Sequence, residues 1–314
     1  MAGKGFRVRT ISQSPVAALF LLCFLWSLAS LRIDLLPALG NHAVPLMEKQ
    51  AFPFAWLAIT ASIFAIAKRK RPTWQHIRSA LLIGLGLFVA PAILVSLANQ
   101  GISNLTRVAL FSLVPVFTVV LEPHISGATG QQRKGALAAA LLAVGGTLCI
   151  FPAEIPSSIT SSAAFFALVL AAGCTGAANC IAVKAATDDQ TYLSTTAAIA
   201  GFTAFAALAA WGLLFAREAW TFRGIGPELA WSAVIGLPAL LLLFWLMRRM
   251  SAVRMTTRFV IAPLLTALLG LALFRPEVSL RAVLGLLLIA AGAAWLLFAP
   301  EQEPNDPSLR LKLH

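Results

Sequence analysis

Read with a window of about 19 residues, the chain resolves into ten apolar runs, at about 16–36, 46–67, 79–98, 104–121, 134–151, 162–183, 193–215, 228–247, 257–274 and 281–299. Each is close to the roughly 20 residues that cross a hydrocarbon core as a helix. Short polar stretches separate them, no soluble domain is inserted, and a polar tail follows Pro300. The pattern predicts an all-α membrane protein with ten transmembrane helices.

One run carries a contradiction. The stretch FVIAPLLTALLGLALFRPE, 259–277, is apolar enough for lipid yet holds Pro263 near its start. A helix-interior proline costs roughly 3 kcal/mol in water, and in a bilayer the carbonyl it frees must find another partner or line a cavity. The other prolines supply a context. Pro91 and Pro238 are 147 residues apart, Pro115 and Pro263 are 148 apart, and LLAVGGTLCIF and LIAAGAAWLLF end 147 apart, with Gly145 and Gly292 in register.

That offset covers five spans, an odd number, so the second half enters the membrane from the opposite side. The expected fold is therefore two inverted five-helix repeats, 16–151 and 162–299, between an N-terminal cytoplasmic segment, 1–15, and a cytoplasmic tail, 300–314. Secondary transporters are often built this way, with a substrate site near the midplane where broken helices meet. Pro91, Pro115, Pro238 and Pro263 are expected to shape the helices there.

Composition agrees with the pattern. Hydrophobic residues make up 59% of the 314, charged residues 11%, and the mean hydropathy is +0.85, whereas a soluble domain has about 25% charged residues. The net charge of +12 raises the question of nucleic acid. Such readers need a solvated basic face with interleaved aromatics, but here the basic residues stand in short clusters between apolar runs, which excludes nucleic acid as a partner.

Those clusters set topology instead, because cytoplasmic loops retain Lys and Arg. With the N-terminus inside, the inner side holds Lys4, Arg7, Arg9, Lys68, Arg69, Lys70, Arg71, Arg78, Arg133, Lys134, Lys184, Arg248, Arg249, Arg254, Arg258, Arg310 and Lys312, against Arg107, Arg217, Arg223, Arg275 and Arg281 outside, with Arg32 and Lys49 near outer span ends. Both termini are expected in the cytoplasm, in a multi-pass protein of the cell (inner) membrane. The N-terminus has the look of a signal peptide, but spans follow at once, so an uncleaved first span is expected.

Candidate chemistry is sparse. A charge at the bilayer centre costs roughly 2.5 to 3.5 kcal/mol, and none of the twelve acidic residues lies in the middle of a run, Glu48 being the one nearest a cavity. Arg32 and Asn179, again 147 apart, occupy corresponding positions where polar groups could line a central site or, for Arg32, snorkel to the outer surface, and Asn179 shares a helical face with Thr175. Trp26, Trp211 and Trp245 can contact an organic solute or sit in an interfacial belt. Arg254 and Arg258 read as topology anchors at the inner end of the ninth run that could attract an anion. The expected substrate-binding residues are Trp26, Arg32, Asn179 and Trp245.

Cys23, Cys149, Cys174 and Cys180 all stand inside apolar runs without metal-ligand spacing, so neither a metal nor a cofactor is expected. The chain has no HExxH, GxSxG or phosphate loop, and its four histidines lie at span ends, loops or the tail. An enzyme is not expected, and a channel would favour rings of polar residues around an axis.

The segment APLLTALLGLALFRPEVSLRAVLGLLLIAAGAAWLLF, with Pro263, Glu277, Gly285 and Gly292, resembles the EamA-type permeases of the drug/metabolite transporter superfamily. LVPVFTVVLEPHISGATGQQRKGALAAALLAVGGTLCIF resembles the same pattern with Pro115 and Gly145, but carries Gly127, Ala128 and Thr129 where the acid would stand. The resemblance implies ten spans in two repeats and export of a small metabolite, for instance an amino acid or related solute, by alternating access. The implied partners are that small-molecule substrate and the lipid bilayer, with a homodimer allowed. A nucleotide-sugar or lipid-linked carrier, with Arg254 and Arg258 on phosphate, is the alternative.

Overall fold

The computed structural model describes residues 14–35, 46–67, 72–98, 101–126, 133–188, 193–215, 225–274 and 279–298. Among them the regular structure is helical, with no strand. We number the helical rods in chain order: α1 (Pro15–Leu35), α2 (Leu46–Ala67), α3 (Trp74–Ala98), α4 (Asn104–Phe111 and Val114–Ser126), α5 (Arg133–Ile150), α6 (Ile159–Asp188), α7 (Leu193–Leu214), α8 (Ile225–Met247), α9 (Ala252–Thr256 and Arg258–Phe274) and α10 (Leu280–Phe298). Eight of these are long and apolar enough to cross a membrane. The apolar stretches of α1 and α5 are shorter, Pro15–Ser30 and Lys134–Ile150.

The outward faces are apolar as well as the core. Ile66, Phe202 and Leu287 are each more than half exposed, as are many neighbours. In water so broad an apolar girdle would drive association. Hydrocarbon is its natural solvent, and helices suit hydrocarbon because they satisfy their own backbone polar groups.

Packing recurs five rods apart. α1 lies against α8 and α9, and α6 lies against α3 and α4; α2 touches α8 as α7 touches α3; α2 packs along α7, and α5 along α10. Glycines set the α5–α10 approach. A Cβ on Gly146 would stand 2.7 Å from the Gly285 carbonyl oxygen and the Ile289 nitrogen, and one on Gly292 would stand 2.7 Å from the Ala139 oxygen and the Ala143 nitrogen. These two contacts are equivalent at an offset of 146, so Gly146 rather than Gly145 is the counterpart of Gly292. Gly145 has nothing within 4 Å of such a Cβ.

The prolines are accommodated in matched ways. In α3 the turn Gly84–Val89 is widened, and the Ala90 N–H reaches back five residues to the Leu85 oxygen; in α8 the turn Ser232–Gly236 is widened, and the Leu237 N–H reaches the Ser232 oxygen. Ala90 and Leu237 immediately precede Pro91 and Pro238. A proline ring collides with the carbonyl four residues upstream, and a wide turn placed there makes room for it. In α4 the helix breaks at Ser112 and Leu113, and Pro115 sits in the first turn after the break, where a missing N–H costs little. In α9 the break falls at Thr257, and Pro263 lies further inside the helix.

One end of the bundle is sealed. Leu19 and Leu22 from the start of α1, Met247 and Met250 at the end of α8, and Met255 and Val260 from the start of α9 belong to one buried cluster. The match between halves also has an exception at this point. α6 touches α8 and α9, whereas α1 does not pack to the same extent on the corresponding α3 and α4. The space left there is the site.

Candidate functional site

A cavity of about 420 Å³ lies between α1, α2, α3, α4, α6, α7, α8 and α9, leaving α5 and α10 outside it. Its walls include Ala29 late in α1, Gln50 and Phe54 early in α2, and Val95 late in α3, so it reaches toward the end away from Leu19 and Met250, while Leu87, Leu240 and Leu243 belong both to its lining and to the buried cluster. Trp26, Phe54, Phe88, Phe111 and Phe259 are the aromatic residues of its described lining. Phe54 and Phe88 meet at 4.7 Å between ring centroids, and Phe111 and Phe259 stack at 6.4 Å.

Arg258 is the cation on this wall, and only 1% of its surface is exposed. Its Nη2 donates to Asn179 Oδ1 at 2.7 Å and its Nη1 to the Met255 oxygen at 3.0 Å. The guanidinium carbon sits 4.7 Å from the Phe259 ring centroid and 5.7 Å from that of Trp26, inside the roughly 6 Å reach of a cation–π contact. Nε is buried and has no hydrogen-bond partner among the described residues. The same holds for Gln50 Oε1, on the same cavity.

A local frame holds the arginine still. The break at Thr257 turns the Met255 carbonyl toward the guanidinium, which takes the bond that an uninterrupted helix would use internally. Asn179 is fixed from behind by donating through Nδ2 to the Thr175 oxygen at 2.7 Å. Ser27 Oγ lies 2.8 Å from the Cys23 oxygen and 3.0 Å from the Ala262 oxygen, so its one proton ties α1 to α9 beside the site. All four cysteines are free thiols.

Of the residues expected from sequence, Trp26 and Pro91 line the cavity, and Asn179 holds its cation. Trp245 does not line it; its ring lies under Arg249, 5.4 Å from the guanidinium carbon. Pro115, Pro238 and Pro263 lie outside the lining and act on the backbone. Arg32 falls within α1, but its side chain, like that of Glu48, lies outside the described residues, as do Glu277 and most of the basic loop residues.

The anchoring expected of Arg258 is corrected by its burial. The ninth rod starts at Ala252, about five residues before the expected boundary near 257, which moves Arg258 from a helix end into the packed interior. Arg254 is not part of the cavity wall. A larger depression of about 940 Å³ on the outside, between α2, α3 and α7, is lined by Ile59, Leu81, Phe202 and other mostly apolar groups and carries no charge. It suits lipid chains.

No family model matches the chain, and no curated protein matches it. A solved structure described as "Crystal structure of protein" is similar at a TM-score of 0.70, with 18% identity, over 91% of this chain and 99% of that one. At that identity the likeness shows a shared fold and nothing of the chemistry.

Proposed function

We propose that this chain is a multi-pass transporter of the cell (inner) membrane, in which ten helices form two inverted five-helix repeats with both termini in the cytoplasm. Its solute is a small organic metabolite, such as an amino acid or a related compound, moved outward by alternating access. The resemblance to EamA-type permeases belongs to this reading. The observation that carries it is a mostly apolar cavity, walled by eight helices and holding one buried cation among the described residues, with packed side chains at one end of the bundle.

The paired packings supply a mechanism. Contacts of α6 with α8 and α9 accompany the sealed end. If α1 closes on α3 and α4 while α6 releases its contacts, the cavity is exposed at the other face around the same residues. Exchange of matched packings is how inverted repeats are expected to alternate. Pocket volumes for small ligands run from about 300 to 1,000 Å³, so about 420 Å³ favours an amino-acid-sized solute over a nucleotide sugar. The absence of Arg254 from the wall also removes one of the two cations that the nucleotide-sugar reading uses.

Counterflow tests the proposal. Purified protein in liposomes loaded with mixed unlabelled amino acids should accumulate at least one labelled amino acid from outside, and mass spectrometry should return it unchanged. No accumulation by folded, inserted protein removes amino-acid exchange. A chemically altered product replaces transport with catalysis.

A further inference from the structure

We infer that Arg258 is an anion subsite and that the preferred solute is an apolar monocarboxylate, the amino group of an amino acid being dispensable. The inference deepens the transport reading and takes from it that the cavity is where solute binds. It starts from charge. Arg258 is buried, its hydrogen-bond partners are a neutral amide and a backbone carbonyl, and no carboxylate lines the cavity among the described residues. An isolated buried charge is costly unless paired, so the site is completed by a solute bringing one negative charge.

Geometry selects the group. A guanidinium has five N–H donors; two are engaged, and Nε is unpartnered. The remaining donors suit a planar carboxylate, which two parallel N–H groups can grip. A phosphate monoester near neutral pH brings close to two charges, one more than the cavity's described residues balance. An ammonium group finds aromatic walls and the Gln50 oxygen, but no described carboxylate. The walls from Trp26, Phe54, Phe88 and Phe111 cover an apolar body instead.

Binding to protein in lipid nanodiscs tests this without transport. The probes are labelled 3-phenylpropionate and 4-methylpentanoate, competed by their amides, by phenylalanine and leucine, and by phenyl phosphate. The acids should bind roughly 10- to 100-fold more tightly than the amides, the range for a charged hydrogen bond, and more tightly than the amino acids or the phosphate ester. Arg258→Gln should erase the difference between acid and amide; if that variant does not fold, the wild-type series decides alone.

Equal binding of acid and amide, a preference for the amino acids or the phosphate ester, or no acid bound below about 1 mM overturns the inference. Acid binding without counterflow of acid or amino acid leaves the subsite standing and removes transport. Counterflow of amino acids with no preference for acid over amide does the reverse.

Discussion

Residues 103–115, SNLTRVALFSLVP, and 251–263, SAVRMTTRFVIAP, are two versions of one structural device. Each opens on a serine with nearly the same extended backbone, φ −66° with ψ 156° at Ser103 and 160° at Ser251. Each runs as a short helix, breaks, and resumes around a proline. Phe111 and Phe259, 148 residues apart, stack on one another where the rods meet. Yet one position earlier stand Leu110, in an apolar cluster, and Arg258, in the cavity. The backbone device is shared between the halves, whereas the charge belongs to one of them. Architecture can be repeated because many apolar side chains suit the same helical frame, provided the close crossings keep their small residues. A second cation at the matching position would repel the first and add its own desolvation cost.

Making the halves alike at this position should have the largest effect. Arg258→Leu should lower counterflow by about a hundredfold or more, because the solute loses its charged partner. Folding should hardly change: Asn179 Oδ1 loses a bond, worth about 1 to 3 kcal/mol, but a membrane charge costing roughly 2.5 to 3.5 kcal/mol disappears. Counterflow set beside thermal melting checks both halves of the statement, and full transport by the variant would reduce Arg258 to a structural group.

The next change keeps the arginine and satisfies it internally. Asn179→Asp places a carboxylate where an amide oxygen now stands 2.7 Å from Nη2. Binding of 3-phenylpropionate should fall by roughly 10- to 100-fold, since breaking that internal pair now opposes it, while the melting temperature holds or rises. Unchanged affinity would mean that the solute does not use this cation.

A comparison within α5 is expected to come third. Gly146→Val drives side-chain atoms into the α10 backbone and should cost about 1 to 3 kcal/mol, the usual range for overpacking. Gly145→Val, one residue away and facing open space, should stay within about 0.5 kcal/mol. Thermal melting in detergent separates them. Equal losses would remove the close α5–α10 crossing.

Much of the frame was legible in the sequence, because length and apolar content decide which runs suit a bilayer before any packing is known. Helices cover the apolar runs, eight of them long and apolar enough to cross a membrane, and the proline pairs coincide with the widened turns of α3 and α8 and with the re-formed helices of α4 and α9. Trp26 and Asn179 also reach the site. Arg258 was hidden by its neighbours. Arg248, Arg249 and Arg254 make the region look like a cytoplasmic edge, and hydropathy averaged over a window places the start of α9 where the charges end. Carrying the proline offset of 148 back to Ser103 and Ser251 would have set Arg258 opposite buried Leu110. The one-residue error at Gly145 has a related cause: the offset is 148 in α4 and α9 and 146 in α5 and α10, so no single repeat length aligns both.

The smallest expected effect tests the equivalence of the wide turns themselves. Pro91→Ala and Pro238→Ala each restore an N–H and remove the ring that occupies space upstream, so the wide turn loses its cause while the unfolded chain gains freedom worth about 0.4 to 1 kcal/mol. If the turns are equivalent devices, the two variants should lower the melting temperature by similar small amounts. Their transport should differ: Pro91 lines the cavity, so Pro91→Ala changes the solute's surroundings as well as the helix, whereas Pro238→Ala changes the helix alone. Matching stability with unequal affinity for 3-phenylpropionate would separate the shared architecture from the one-sided chemistry. Stability losses differing by more than about 1 kcal/mol, the size of the whole expected effect, would mean that the two prolines shape their helices for different reasons.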